Sequence, residues 1–246
     1  MADEHPLRAG YQRFLRFLRN RFRRGEYLGL HLTIGFLVSL AGLLLFILIA
    51  RQVIGQRELT RVDLSVYQWL RTNATLFGYG TWSVVTALGG GASIFWIGTG
   101  MGLLLAIRRR YFLLAGWATA LLGGGLLDFA LKQAFQRPRP EDAMDFLTTL
   151  SWSFPSGHSM GSLIAYGMLA YVISVEFVHD RSFRKWVIAA GAFMVAAIGL
   201  SRMYLGVHYL SDVLGGFAAG GLWLTACITG LEVARRLRQK TQSLRE

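Results

Sequence analysis

The feature that most constrains this chain is a series of long apolar runs. Several of them reach the roughly 20 residues that a helix needs to cross the hydrocarbon core of a bilayer. A soluble bundle must show water a polar face on each surface helix, and these runs leave too little room for one. Composition agrees, with 53% of residues hydrophobic and 16% charged, against about 25% charged in an average soluble domain. The pattern predicts six spanning helices at 28–52, 89–107, 111–135, 156–178, 186–204 and 209–234. The expected fold class is therefore an all-α, polytopic membrane bundle. The stretch 64–86 carries Tyr67, Trp69, Phe77, Tyr79 and Trp82. It reads either as an interfacial helix, since Trp and Tyr favour the headgroup level, or as part of a span.

The net charge of +12 would suggest a nucleic-acid partner in a soluble protein. Here the basic residues cluster at the ends of the apolar runs, and no zinc-finger, RNA-binding or helix-turn-helix pattern accompanies them. Arginines crowd the chain before the first run, at Arg108–Arg110, at Arg181–Lys185 and from Arg235 onward. By the positive-inside rule these ends are cytoplasmic, as are both termini, and the loops after the first, third and fifth helices face outward. The expected organisation is a basic cytoplasmic segment over 1–27, a membrane domain over 28–234 and a basic cytoplasmic tail over 235–246. Within the first segment, Tyr11–Arg24 alternates apolar and basic residues at helical spacing, the pattern of a helix lying on an anionic leaflet. The first apolar run reads as a retained signal anchor. A single cysteine, Cys227, lies in an apolar run and reads as packing rather than as a nucleophile. The glycine clusters at 89–91, 123–125, 215–216 and 220–221 read as close helix contacts, because no nucleotide-binding Gly-Lys-Ser/Thr sequence follows them.

Three polar clusters interrupt the apolar pattern, all at ends predicted to face outward. The first runs from Lys132 to Arg139 and Pro140, the second is Pro155-Ser156-Gly157-His158, and the third runs from Ser201 and Arg202 through His208 to Asp212. Lys132, Arg139 and Arg202 are three cations at one face of a membrane protein. That is costly without an anionic partner, and phosphate suits the arginine fork. Ser156 and Gly157 open a helix, whose free N–H groups also favour an anion. His208 and Asp212, four residues apart, share a helix face. A carboxylate beside one ring nitrogen fixes the tautomer and leaves the other nitrogen to attack. His158, from another helix, is a candidate acid for the leaving oxygen. Taken singly, Lys132 reads as a snorkelling cation, Arg139 as a topology marker, Asp212 as a helix cap and His208 as a structural histidine. Two histidines and an aspartate also allow zinc, but the neighbouring arginines oppose a cation. Asp128, one turn before Lys132, reads either as its ion-pair partner or as a local hydrogen-bonding group. His31 reads as structural, and Glu141, Asp142 and Asp145 as a solvated loop.

In order and spacing, the three clusters resemble the signatures of the type 2 phosphatidic acid phosphatase superfamily. That resemblance covers residues 132–212. It implies that His208 is the nucleophile, Asp212 its partner and His158 the acid, with Lys132, Arg139, Ser156, Gly157 and Arg202 holding phosphate oxygens. It implies no metal and no cofactor. The implied activity is hydrolysis of a lipid phosphate or diphosphate through a phosphohistidine, on the extracytoplasmic face of the cell (inner) membrane. Undecaprenyl diphosphate, phosphatidylglycerol phosphate and phosphatidic acid are the candidate substrates, and an isoprenoid diphosphate is favoured by analogy. Transfer of the phosphoryl group to another lipid is the alternative chemistry, and a lipid or anion transporter the alternative class. The implied partners are the lipid phosphate and membrane lipids. Oligomeric state is not legible.

Overall fold

The computed structural model describes residues 27–140 and 151–243. They form eight helices: α1 (Tyr27–Ile54), α2 (Glu58–Asn73), α3 (Leu76–Ala87), α4 (Gly91–Ile107), α5 (Tyr111–Phe135), α6 (Gly157–Glu176), α7 (Arg181–Tyr204) and α8 (Leu210–Ser243). No strand occurs among the described residues. Six segments are long and apolar enough to cross a membrane: Leu32–Ile54, Leu76–Ile107, Tyr111–Phe135, Gly157–Glu176, Arg181–Tyr204 and Leu210–Arg238. The chain is thus an all-α polytopic bundle, as its apolar runs predict. The amphipathic stretch 11–24 and the acids Glu141, Asp142 and Asp145 lie outside the described residues.

The outer surface of the bundle is apolar. Phe77 is 86% exposed and Trp96 70%. In water such a surface would invite aggregation, whereas hydrocarbon solvates it. The interior is organised on α6, where Met160, Ile164, Met168 and Val172 recur every four residues and are all buried. They pack against Leu105, Trp117, Ala120 and Ala219 of the surrounding helices. Small residues let α8 approach α6 closely. A Cβ on Gly216 would lie 2.7 Å from the Ser156 carbonyl oxygen, and one on Gly220 would lie 3.0 Å from that of Met160.

Two of the expected helix bounds change, and the stretch 64–86 divides between its two readings. The second span is not confined to 89–107. Its apolar segment begins at Leu76 and bends between α3 and α4, so that α3 packs on α7 while α4 packs on α5 and α6. Glycine is needed at the bend, because a Cβ on Gly89 would lie 2.4 Å from Ile198 Cγ2. Residues 58–73 form a separate amphipathic helix, α2, which contacts α1, α7 and α8 through a face that includes Asp63, Tyr67 and Leu70. The last helix also outruns its predicted end at 234. It continues through the basic residues to Ser243, so the start of the predicted tail is an extension of the span. The ends of α5 and α7, the starts of α6 and α8, the α3–α4 bend and α2 all meet at one end of the bundle, which we call the site end.

Candidate active site

The first polar cluster is aimed by a helix stop. Gln136, in the left-handed region at φ +44°, ends α5 and donates its N–H to the Lys132 carbonyl at 3.0 Å. A non-glycine residue there costs on the order of 1 kcal/mol. The turn swings Arg137 and Arg139 across the site end, while Lys132 stays on the last turn of α5. Lys132 Nζ donates to Asp128 Oδ2 at 2.9 Å, so the ion-pair reading of Asp128 is the one the structure supports. This pair lies over the start of α6. A Cβ on Gly157 would fall 2.6 Å from Lys132 Nζ and 3.0 Å from Asp128 Oδ2, so glycine is the residue that fits.

Lys132, Arg139, Gly157, His158, Arg202 and His208 line one cavity of about 540 Å³, together with Asp128, Ser151 and apolar residues of α4, α5 and α6. Five of the predicted phosphate-binding and catalytic side chains, from three separate stretches of chain, therefore converge with the glycine. Arg139 donates to the Ser151 carbonyl (2.9 Å), Ser151 Oγ (2.8 Å) and the Val207 carbonyl (3.0 Å). Arg202 is buried and donates to Thr86 Oγ1 beside the α3–α4 bend at 2.8 Å. His158 sits under the same bend, its Nε2 3.7 Å from where a Cβ on Gly90 would be. Among the described residues its ring makes no hydrogen bond and faces the cavity.

Ser156 stands apart from the expected cradle. It is fully buried, its N–H donates to the Asp212 carbonyl at 2.9 Å, and its Oγ accepts from Ser159 Oγ at 3.1 Å. The cavity wall begins one residue later, at Gly157. Ser156 thus joins the start of α6 to α8 and positions its neighbours.

The His208 side of the cavity is a dense network. Arg139 Nη1 lies 3.2 Å from His208 Nε2. A guanidinium can only donate, so Nε2 carries a lone pair and the ring proton resides on Nδ1. Nδ1 is 3.5 Å from Asp212 Oδ2 and 3.4 Å from Ser153 Oγ. Asp212 Oδ2 also accepts from Ser153 Oγ at 2.5 Å and from the Tyr209 N–H at 2.9 Å. Burial pushes the His208 pKa down to about 3, with Arg139 and Arg202 adding to the fall and Asp212 opposing it. The ring is therefore neutral at physiological pH, the form a nitrogen nucleophile requires.

Sequence reading missed three residues of this network. Arg137 bonds Asp212 Oδ1 at 2.6 Å and Asp63 Oδ2 at 2.8 Å, and Ser153 bridges Asp212 and the ring. Two signals were available. Arg137 is a second cation in the same short turn as Arg139, and Asp63 is an acid on the inward face of an amphipathic helix. Among the described residues, no group of three or more His, Cys, Asp or Glu side chains is placed to hold a metal ion.

Comparison with known proteins gives consistent likenesses. The family model for the PAP2 superfamily matches residues 111–236. The chain is 39% identical over 116 residues to phosphatidylglycerophosphatase B of Bacillus subtilis, covering 47% of this chain and 56% of that protein. It is 34% identical over 128 residues to lipid A 1-phosphatase of Rhizobium etli, covering 48% and 49% respectively. It thus spans about half the length of these curated relatives. The crystal structure of a transmembrane PAP2-type phosphatidylglycerolphosphate phosphatase from Bacillus subtilis superposes with a TM-score of 0.65 at 27% identity, covering 77% of this chain and 93% of that one.

Proposed function

Because the chain belongs to the PAP2 superfamily, we propose that it is an integral membrane phosphatase that hydrolyses a lipid phosphate or diphosphate through a phosphohistidine. The observation that carries this reading is the convergence of His208, its Nε2 3.2 Å from Arg139 Nη1, with His158, Lys132 and Arg202 around one cavity. Two of the relatives bear the names of lipid phosphatases, phosphatidylglycerophosphatase B and lipid A 1-phosphatase. We extend that substrate class to this chain, with phosphatidylglycerol phosphate, phosphatidic acid and undecaprenyl diphosphate as the compounds to assay.

In this mechanism Lys132, Arg139 and Arg202 hold the phosphoryl oxygens together with the N–H groups at the start of α6. His208 Nε2 attacks phosphorus, and the bond from phosphorus to the lipid oxygen breaks. That oxygen takes a proton from His158. Asp212, next to Nδ1–H, stabilises the positive ring that forms. Water then attacks the phosphohistidine and gives its proton to His158. The P–N bond breaks and inorganic phosphate leaves. Cationic side chains supply the charge stabilisation throughout, so the reaction requires no metal. The test is phosphate release by the purified protein from these three lipids in detergent with EDTA present. We expect release from at least one, and none from His208→Ala. Release that needs an added divalent ion would overturn the metal-free mechanism, and transfer of label to a second lipid instead of water would make the protein a phosphotransferase.

The basic residues at 108–110, 181–185 and 235–238 lie at the end of the bundle opposite the site, which supports cytoplasmic termini and an extracytoplasmic site in the cell membrane. In a Cys227→Ala background, an impermeant thiol reagent added to intact cells should label Glu58→Cys at the site end and spare Ser182→Cys. The reverse pattern would invert the orientation.

A further inference from the structure

We infer that Asp63 and Arg137 are positioning residues for His208 and act through Asp212, an inference that rests on the phosphohistidine reading above. The Arg137 guanidinium lies between two carboxylates. Nη1 donates to Asp212 Oδ1 at 2.6 Å and to Ser211 Oγ at 2.7 Å, and Nη2 donates to Asp63 Oδ2 at 2.8 Å. Both carboxylates are fully buried, and the Arg137 side chain is 11% exposed. Asp63 completes its bonding on Ser211, accepting the N–H at 2.8 Å and the hydroxyl at 2.5 Å. The Tyr209 ring covers the guanidinium at 4.4 Å. This cluster joins α2, the turn after α5 and the start of α8. Asp63, Arg137 and Ser211 do not line the cavity that holds His158 and His208, so their influence on chemistry there is transmitted by Asp212.

The geometry gives the cluster two effects. A carboxylate rotates about its Cβ–Cγ bond. With Oδ1 tied to Arg137, Oδ2 is held toward Ser153, the Tyr209 N–H and the His208 ring. The second effect concerns charge. An arginine paired with Asp212 alone would cancel the carboxylate that the phosphorylated ring needs. Asp63 shares the guanidinium, so the cluster keeps one net negative charge opposite Nδ1–H. Only a planar fork reaches both carboxylates at once, which a lysine ammonium does not. Three buried charges are also a costly way merely to anchor α2, because an apolar contact of the same volume would serve as well or better.

The test uses the full chain in detergent with short-chain phosphatidic acid. Arg137→Gln, Arg137→Lys and Asp63→Asn are each made in the wild-type and in the Asp212→Asn background. In the wild-type background each should lower kcat by about 10-fold to 100-fold while KM stays within about twofold, and lysine should not rescue. In the Asp212→Asn background the same changes should cost less than about threefold, because the carboxylate they serve has lost its charge. Equal losses in both backgrounds would reduce the cluster to a scaffold, and a raised KM with kcat kept would put Arg137 on the phosphate; either result overturns the inference. Should Arg137→Gln not fold, the Asp63→Asn/Arg137→Gln pair, which removes one charge of each sign, carries the same comparison. Carbethoxylation of His208, followed by mass spectrometry, needs no turnover. If the wild type released no phosphate at all, the phosphatase reading would fail, yet this link would still be tested. Slower labelling in Arg137→Gln and Asp63→Asn supports it, and unchanged labelling overturns it.

Discussion

His208 and His158 line the same cavity but are held in different ways. His208 is 2% exposed and enclosed by Arg139, Ser153 and Asp212, so its tautomer and its aim are both determined. His158 is half-buried beneath the Gly89–Gly91 bend, makes no hydrogen bond among the described residues, and opens to the cavity. The contrast suits the proposed division of labour. A nucleophile needs one lone pair in one place, and the network supplies that. An acid that later acts as a base must exchange protons with a leaving group and then with water, and a ring tied to neighbours would do so poorly.

The sharpest way to break this contrast is to remove each ring in turn. His208→Ala should lose phosphoenzyme formation and turnover together, by roughly 10⁴-fold or more. His158→Ala should lose roughly 10²-fold to 10⁴-fold with a lipid phosphate, whose alkoxide leaves badly without a proton. With an activated aryl phosphate, whose leaving group needs little protonation, the same variant should form the phosphoenzyme at near the wild-type rate and slow only at the later attack of water, so that it keeps more activity than His208→Ala. Trapping with labelled substrate under an alkaline quench, which preserves the acid-labile P–N bond, reads the intermediate directly. If His158→Ala fails to trap phosphate while His208→Ala still does, the two roles are reversed.

Much of this arrangement was legible in the sequence, and what was not has a physical reason. The spans follow from apolar length alone, and Lys132, Arg139, Gly157, His158, Arg202 and His208 do line one cavity because polar residues at membrane helix ends have few other places to converge. The α3–α4 bend was hidden because residues 76–107 are apolar throughout, so nothing in hydropathy marks a break; the close approach of Ile198 to Gly89 does. The Asp63–Arg137–Asp212 cluster was hidden for another reason. It joins residues 74 and 75 positions apart, and no local pattern encodes such a pairing. Ser156 is tied in by another such distant pairing, since its N–H donates to the Asp212 carbonyl.

The smallest expected effect is a near absence of titration, and it sharpens the contrast from the His208 side. An ordinary imidazole has a pKa of about 6.5 and would change from mostly charged to mostly neutral between pH 5 and 8. Burial holds His208 at about 3 against the pull of Asp212, and Arg139 and Arg202 add to the fall. Its ring should therefore stay neutral across that range. With ¹³C-labelled histidine in detergent, the His208 Cε1 resonance, assigned by its loss in His208→Gln, should move by less than about a tenth of a full titration. The same depressed pKa fixes the sign of the stability effect. The unfolded chain binds a proton near pH 6.5 and the folded chain does not until near 3, so this group's contribution to stability is full above the unfolded pKa and is lost as pH falls from about 6.5 toward 3. A His208 resonance that titrates near pH 6.5 would mean that the ring is solvated and free to turn. The difference between the two histidines would then lie in their chemistry alone and not in how the fold holds them.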